Sequence, residues 1–228
     1  MSPEAGAGPT TMTTVTTDLW ALIHAERAAL ADDLADLTPE QWATRSLCAD
    51  WTVEETVAHL VAGARIGPLR WFRSVLGARG NFERHNARRL AEHRGATPEE
   101  TLARFRSVIS STTSPPGPVE MWLGEIVVHG GDVRRPLGRV RAHPMSTLMP
   151  LATFFAKQNS TVRSRSNAAG LRLEATDGPF ATGPEDAPRV AGPTLALVMA
   201  MAGRAAFCDD LDGPGVATLR GRCTAATA

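Results

Sequence analysis

The sequence predicts an α+β protein, an all-helical N-terminal domain followed by a smaller mixed one. Three observations carry the prediction. Amphipathic segments at the helical period run from about residue 18 to 137 with short connections between them, which is the pattern of a helix bundle. Helix-start signals recur at Thr38, where proline follows at the first helical position, and at Thr52 and Thr97, each with a glutamate three residues on, as a capping box requires. Beyond residue 144 the character changes: Leu171-Arg172-Leu173-Glu174-Ala175 alternates like a half-buried strand and Thr176-Asp177-Gly178-Pro179 has turn chemistry. The expected division is a disordered tail over residues 1–14, a helical domain over 15–143 and an α+β domain over 144–228.

The first helix is expected to start at Asp18, a good N-cap, and to carry its apolar stripe on Leu19, Ile23, Leu30 and Leu34. A turn or two follows Thr38-Pro39, with proline at the first helical position. The helix opened by Thr52 and Glu55 buries Val53, Val57, Leu60 and Ala64, and Gly67-Pro68 interrupts it. The pattern resumes through Leu69, Phe72, Val75 and Leu76 to a stop over Gly77 to Gly80. A mostly charged segment, Asn81 to Arg94, and a helix after Thr97 lead to the loop Ser110 to Pro118. The next helix contains Glu125 and His129 and should end near Gly138. In the second domain, helices are expected around Ser146 to Val162 and Thr194 to Ala202, with short strands at Leu171 to Ala175, Arg189-Val190 and Val216 to Leu219.

Composition narrows the function classes. With 24 basic and 24 acidic residues the formal net charge is zero, so the electrostatic footprint of a nucleic-acid or anionic-membrane binder is missing. No segment reaches the ~18 uninterrupted apolar residues that cross a bilayer. Cys48, Cys208 and Cys223 are scattered and odd in number, which argues against a disulfide framework, and the first residues lack a secretory pattern. The expectation is a cytoplasmic protein, monomer or homodimer, acting on small molecules.

The chemistry concentrates in Gly124-Glu125-Ile126-Val127-Val128-His129. Residues four apart on a helix share a face, so Glu125 and His129 can aim at one point, and His59 in Val57-Ala58-His59-Leu60 is the best third member. Two histidines and a carboxylate form a known zinc set that also suits other divalent metals. Spacing alone is met as well by a carboxylate paired with Arg134 or Arg135 beside an ordinary packed histidine. The apolar setting of the pair tips the reading toward a metal, because an ionised carboxylate there needs a partner. Asp132 could accept a hydrogen bond from behind the site or anchor Arg135. His24 could line the same cavity, His85 and His93 read as a solvated face, and none of the cysteines has metal spacing.

Asp50-Trp51-Thr52-Val53-Glu54-Glu55-Thr56-Val57-Ala58-His59-Leu60 and Glu125 through Gly138, with Leu171 to Gly178 and the stretches Val190 to Leu197, Met201 to Arg204 and Leu211 to Val216, together resemble the mycothiol-dependent maleylpyruvate isomerase family of actinobacteria. The resemblance spans roughly residues 15 to 222. It implies a DinB-like four-helix bundle that holds a divalent metal, typically zinc, through His59, Glu125 and His129. It also implies a sterol-carrier-like α+β domain over the site and mycothiol as the thiol co-substrate. Members differ in substrate, some isomerising a cis double bond and others transferring the thiol.

The function expected is therefore a metal-dependent, mycothiol-using isomerase or S-transferase of a small electrophilic metabolite. Arg204 is expected to take a catalytic role by binding a carboxylate, or alternatively to form a salt bridge with Asp209 or Asp210. The alternatives are a thiol-independent metallo-enzyme and a non-catalytic small-molecule binder.

Overall fold

A computed structural model describes residues 10–48, 51–77, 82–160 and 162–225. Of the expected features, residues 1–9 of the tail, Asp50 of the motif before His59 and residues 78–80 of the expected glycine stop lie outside the described residues.

Helix α1, Thr10–Asp33, starts before the Asp18 cap signal, since no proline or glycine breaks the chain between Thr10 and Asp18. After the short α2, Pro39–Trp42, helix α3 runs Val53–Arg65 from the Thr52–Glu55 capping box: the Glu55 N–H donates to Thr52 Oγ1 at 3.2 Å and the Thr52 N–H to Glu55 Oε2 at 2.9 Å. Pro68 opens α4, Pro68–Gly77, as a separate helix, and α5, Phe82–His93, α6, Pro98–Arg106, and α7, Val119–Arg134, follow. Helix α7 packs on α1 and α3, and α6 closes the bundle against the same two, so α1, α3, α6 and α7 surround one core. Ile23, Leu30, Leu34, Val57, Phe105, Leu123 and Val127 fill it.

The later part consists of α8, Met145–Lys157, α9, Ser164–Ala168, a three-stranded sheet, α10, Thr194–Met201, a 3₁₀ turn Ala205–Asp210, and α11, Val216–Ala225. Strands β1, Arg172–Ala175, β2, Ala181–Thr182, and β3, Arg189–Gly192, lie in the order β2-β1-β3, antiparallel to β2 and parallel to β3, with Leu173 opposite Thr182 and Val190. Helix α10 is apolar all round because it is buried on all sides, against α8, the sheet, the 3₁₀ turn and α7. The molecule is thus α+β, as expected. Among the described residues no helix is long and apolar enough to cross a membrane.

Two local expectations are overturned. Val216 to Leu219 is the start of a helix, not a strand: the buried positions Leu219 and Cys223 are four apart, a helical period that the four-residue window concealed. His93 is not on a solvated face but 6% exposed, with its Nε2 2.7 Å from Arg89 Nη2. The side chain of His85 is not among those described.

Helix α7 approaches α8 closely at Gly124, where an added Cβ would lie 3.1 Å from Phe155 Cζ and 3.3 Å from Leu151 Cδ1. Gly124→Leu is expected to cost about 1–3 kcal/mol by overpacking and to lower Tm by several degrees in thermal unfolding; an unchanged Tm would mean that the two helices part freely. His93 gives a second expectation. Burial, then the neighbouring Arg89 guanidinium, push its pKa down to about 4, so the unfolded chain takes up a proton first as pH falls below about 6.5. Stability supplied by neutral His93 is complete above that pH and is lost toward pH 4. The stability difference between wild type and His93→Gln, followed by urea unfolding, should therefore shrink by about 1–2 kcal/mol between pH 7 and pH 5.

Candidate metal centre

Helix α3 presents His59 and helix α7 presents Glu125 and His129 across the bundle. Glu125 Oε2 lies 3.2 Å from His129 Nε2 and 3.4 Å from His59 Nε2, and one donor atom from each residue falls within 4.8 Å of the others. The imidazoles stand edge to face with centroids 5.1 Å apart, and the Trp51 ring centroid lies 4.8 Å from that of His59. All three residues expected from the sequence are brought together. Two imidazole nitrogens and one carboxylate oxygen converging from a rigid bundle suit a divalent metal of the zinc type.

Behind the triad a buried relay fixes the geometry. His129 Nδ1 is 3.0 Å from Asp132 Oδ2, and Asp132 is completely buried. With Nδ1–H donating to that carboxylate, Nε2 is the nitrogen turned toward Glu125 and His59; it donates to Glu125 here and is the atom that would ligate a metal once its proton is displaced. Arg204, following α10, grips the same carboxylate side-on: its Nε donates to Oδ1 at 2.9 Å and its Nη2 to Oδ2 at 2.7 Å, while Nη1 donates to the Ala202 carbonyl at 2.8 Å. Arg204 therefore reaches the site through Asp132, not through Asp209 or Asp210, which pair with Arg220 and Arg135.

The electrostatics follow from these contacts. Burial works to raise the Glu125 carboxyl, but hydrogen bonds from His129 and His59 outweigh it and hold it well below the usual carboxylate range. Burial likewise opposes ionisation of Asp132, and the bonds from His129 and Arg204 overcome it. Burial opposes the charged form of His129, while Cys48, Asp132 and Glu125 around it raise it.

Arg134 and Arg135 serve elsewhere, Arg134 on Asp33 of α1 and Arg135 on Asp210 with its guanidinium 4.8 Å over the Phe207 ring. His24 stays outside the triad, its Nε2 3.3 Å from the Ser111 carbonyl. Two neighbours escaped the sequence reading. Cys48, with no metal spacing in the chain, brings its sulfur within 4.8 Å of donor atoms on His129 and Asp132. The Leu47 N–H donates to the Asp132 carbonyl at 3.0 Å, which delivers that loop to α7. Arg27 of α1, only 7% exposed, lines a narrow cleft with His59, Trp122 and Glu125, and its burial lowers its pKa to about 10. Neither has a local sequence signal.

Comparison with known proteins agrees with this architecture. No match was found among curated proteins. Among solved structures, the crystal structure of the mycothiol-dependent maleylpyruvate isomerase superposes with a TM-score of 0.60 at 16% identity, covering 87% of this chain and 92% of that one. A histidine-to-alanine mutant of that enzyme superposes with a TM-score of 0.59 at 15% identity over the same shares, 87% and 92%. At such identities the likeness establishes a common fold. Residues 23–116, from α1 through α6 and including His59, match the family described as mycothiol maleylpyruvate isomerase N-terminal domain. Over that region the chain is similar to the mycothiol maleylpyruvate isomerase N-terminal domain family.

Proposed function

We propose that the protein is a metal-dependent, mycothiol-using isomerase or S-transferase of a small electrophilic metabolite, with His59, Glu125 and His129 as metal ligands. The observation that carries the reading is the convergence of those three donors in front of the buried Asp132–Arg204 pair. When bound there, a divalent cation lowers the pKa of a thiol from about 8.5 so that a thiolate nucleophile is present at neutral pH. The chain's own residues do the rest. Glu125 offers a carboxylate that stays ionised, and Asp132 holds a proton of His129 on Nδ1 so that Nε2 is the nitrogen left to give its lone pair to a metal. Arg204 is a positioning residue that neutralises Asp132 and fixes its two oxygens. The Trp51 ring packs beside His59, tilted by 42° with centroids 4.8 Å apart. A thiolate that adds to an activated double bond and leaves after rotation gives isomerisation, and one that stays gives S-transfer. Mycothiol is the thiol of choice because the matched domain family is that of a mycothiol enzyme.

Elemental analysis of the purified protein should find about one divalent metal per chain, and His59→Ala and Glu125→Ala should each lose most of it. Full metal retention in both variants would discard the triad. Calorimetric titration of the metal-loaded protein with mycothiol should give saturable binding, and its absence would separate the metal site from the thiol. Asp132→Asn is expected to weaken metal affinity about 10–100-fold, since His129 loses its orienting acceptor. Arg204→Gln leaves the Asp132 carboxylate buried without its cation and should cost about 3–5 kcal/mol in urea unfolding; a loss below about 1 kcal/mol would show that His129 alone compensates Asp132.

A further inference from the structure

Among the described residues Arg27 is a buried cation with no carboxylate partner. Both of its bonds to protein leave from one amino group, Nη1, to the carbonyl oxygens of Val108 at 3.1 Å and Ser111 at 2.7 Å beyond the end of α6. Among the described residues no carboxylate pairs with it, and its Nε and Nη2 meet no protein acceptor. Carbonyl groups at a helix end offset about half a charge at most, so part of the Arg27 charge is uncompensated. Other buried arginines differ: Arg89 faces Glu92 at 2.6 Å and Arg134 faces Asp33 at 2.6 Å. The unused Nε–Nη2 edge of Arg27 is the edge with which Arg204 grips the Asp132 carboxylate.

Two further observations fall in the same cleft. Trp122, on α7 one turn before Glu125, has a buried indole Nε1–H with no hydrogen-bond partner. Gly63, on α3 one turn after His59, faces open space, since a Cβ built there would meet nothing within 4 Å. The cleft offers about 20 Å³ of accessible room, the scale of one small polar group. Glu125, on the same wall, is engaged with the two histidines at 3.2 and 3.4 Å. Of these groups the Trp122 N–H is the buried donor without an acceptor, which is costly, while the unused Arg27 edge keeps access to the cleft it lines, so an acceptor entering there can meet both.

We propose that this cleft is an anion subsite in which the Nε–Nη2 edge of Arg27 and the Trp122 indole N–H hold one carboxylate of the electrophilic substrate, whose remainder extends toward the His59–Glu125–His129 face. A planar carboxylate matches the guanidinium edge, and the small, partly open cleft has room for a group of that scale. The proposal deepens the proposed function by giving its electrophile a negative charge, and it rests on that reading for the identity of the molecule as substrate.

The test uses the full-length, zinc-loaded protein and succinate, a dicarboxylate that neither reacts with thiols nor carries one. Calorimetry or ligand-observed NMR should detect succinate binding to wild type and none of its dimethyl ester. Arg27→Gln should weaken succinate at least tenfold, Trp122→Phe severalfold, and Gly63→Leu should abolish binding by filling the cleft while leaving Arg27 and its bonds to the α6 end in place. Gly63→Leu keeps the test decisive even where Arg27→Gln folds poorly. Equal succinate affinity in wild type, Gly63→Leu and Trp122→Phe, or no binding to wild type, overturns the subsite. Succinate displaced by mycothiol overturns its assignment to the electrophile. Zinc content measured on the same samples separates the two readings: variants that keep zinc and lose succinate support the subsite, whereas a wild type that takes up succinate but no zinc retains the subsite and removes the metal centre.

Discussion

The Asp132 carboxylate, completely buried and gripped side-on by Arg204, is the constraint on which the rest of the site depends. Removing two charges from water costs several kcal/mol each, so such a pair is a net gain only where every oxygen and N–H is used. Here Asp132 Oδ2 also meets His129 Nδ1, and the remaining Arg204 amino group donates to Ala202. The pair ties α7 of the bundle to the turn after α10, and the same aspartate's backbone carbonyl receives the Leu47 N–H from the loop before α3. A single residue thus holds three separate parts of the chain around His129. Because the cost of breaking the pair is high, the Asp132 carboxylate is a fixed acceptor that favours this orientation of the His129 ring.

Helix α7 accommodates this convergence through its glycines. Glycine inside a helix costs about 1 kcal/mol against alanine, yet α7 carries Gly124, Gly130 and Gly131. Each sits where another group approaches: Phe155 and Leu151 at Gly124, the Arg134 guanidinium at Gly130, the Met199 side chain at Gly131. Tight packing of α8 and α10 on one side of α7 lets Glu125 and His129 face α3 on the other. What α7 loses in intrinsic propensity it recovers in contacts that make its position rigid, and a two-ligand helix is useful only if it is rigid.

The readable part of the site was the local part. Glu125 and His129 are one helical turn apart and His59 follows a capping box by a fixed distance, so helical geometry alone places each on a face. The strand at Arg172–Ala175 was legible for the same reason, from alternation. What was hidden depends on contacts across the fold. Cys48 meets His129 across 81 positions through the Leu47–Asp132 bond, and no spacing rule encodes that. The helix at Val216–Ala225 was mistaken for a strand because four residues cannot distinguish the two periods, and only the burial of Leu219 together with Cys223 does so. His93 looked solvated because its neighbours in sequence are charged, although its ring packs against Arg89 inside the protein.

Arg204 and Arg27 show why residue type cannot assign a role. Both are arginines held largely out of water near the triad, and both have the side-on guanidinium edge that suits a carboxylate. In Arg204 that edge is filled by the protein's own Asp132, so its charge is spent on the scaffold and its influence on chemistry passes through His129. In Arg27 the edge is unfilled among the described residues, and the bonds to protein found there hold the other amino group against backbone carbonyls. A buried guanidinium that is anchored at one side and unpaired at the other is already oriented, so little side-chain entropy remains to be lost when an anion arrives. On the arrangement of acceptors around the two residues, Arg204 is committed to Asp132, and it is the unfilled edge of Arg27, in the cleft it shares with His59 and Glu125, to which we assign the carboxylate in our proposal.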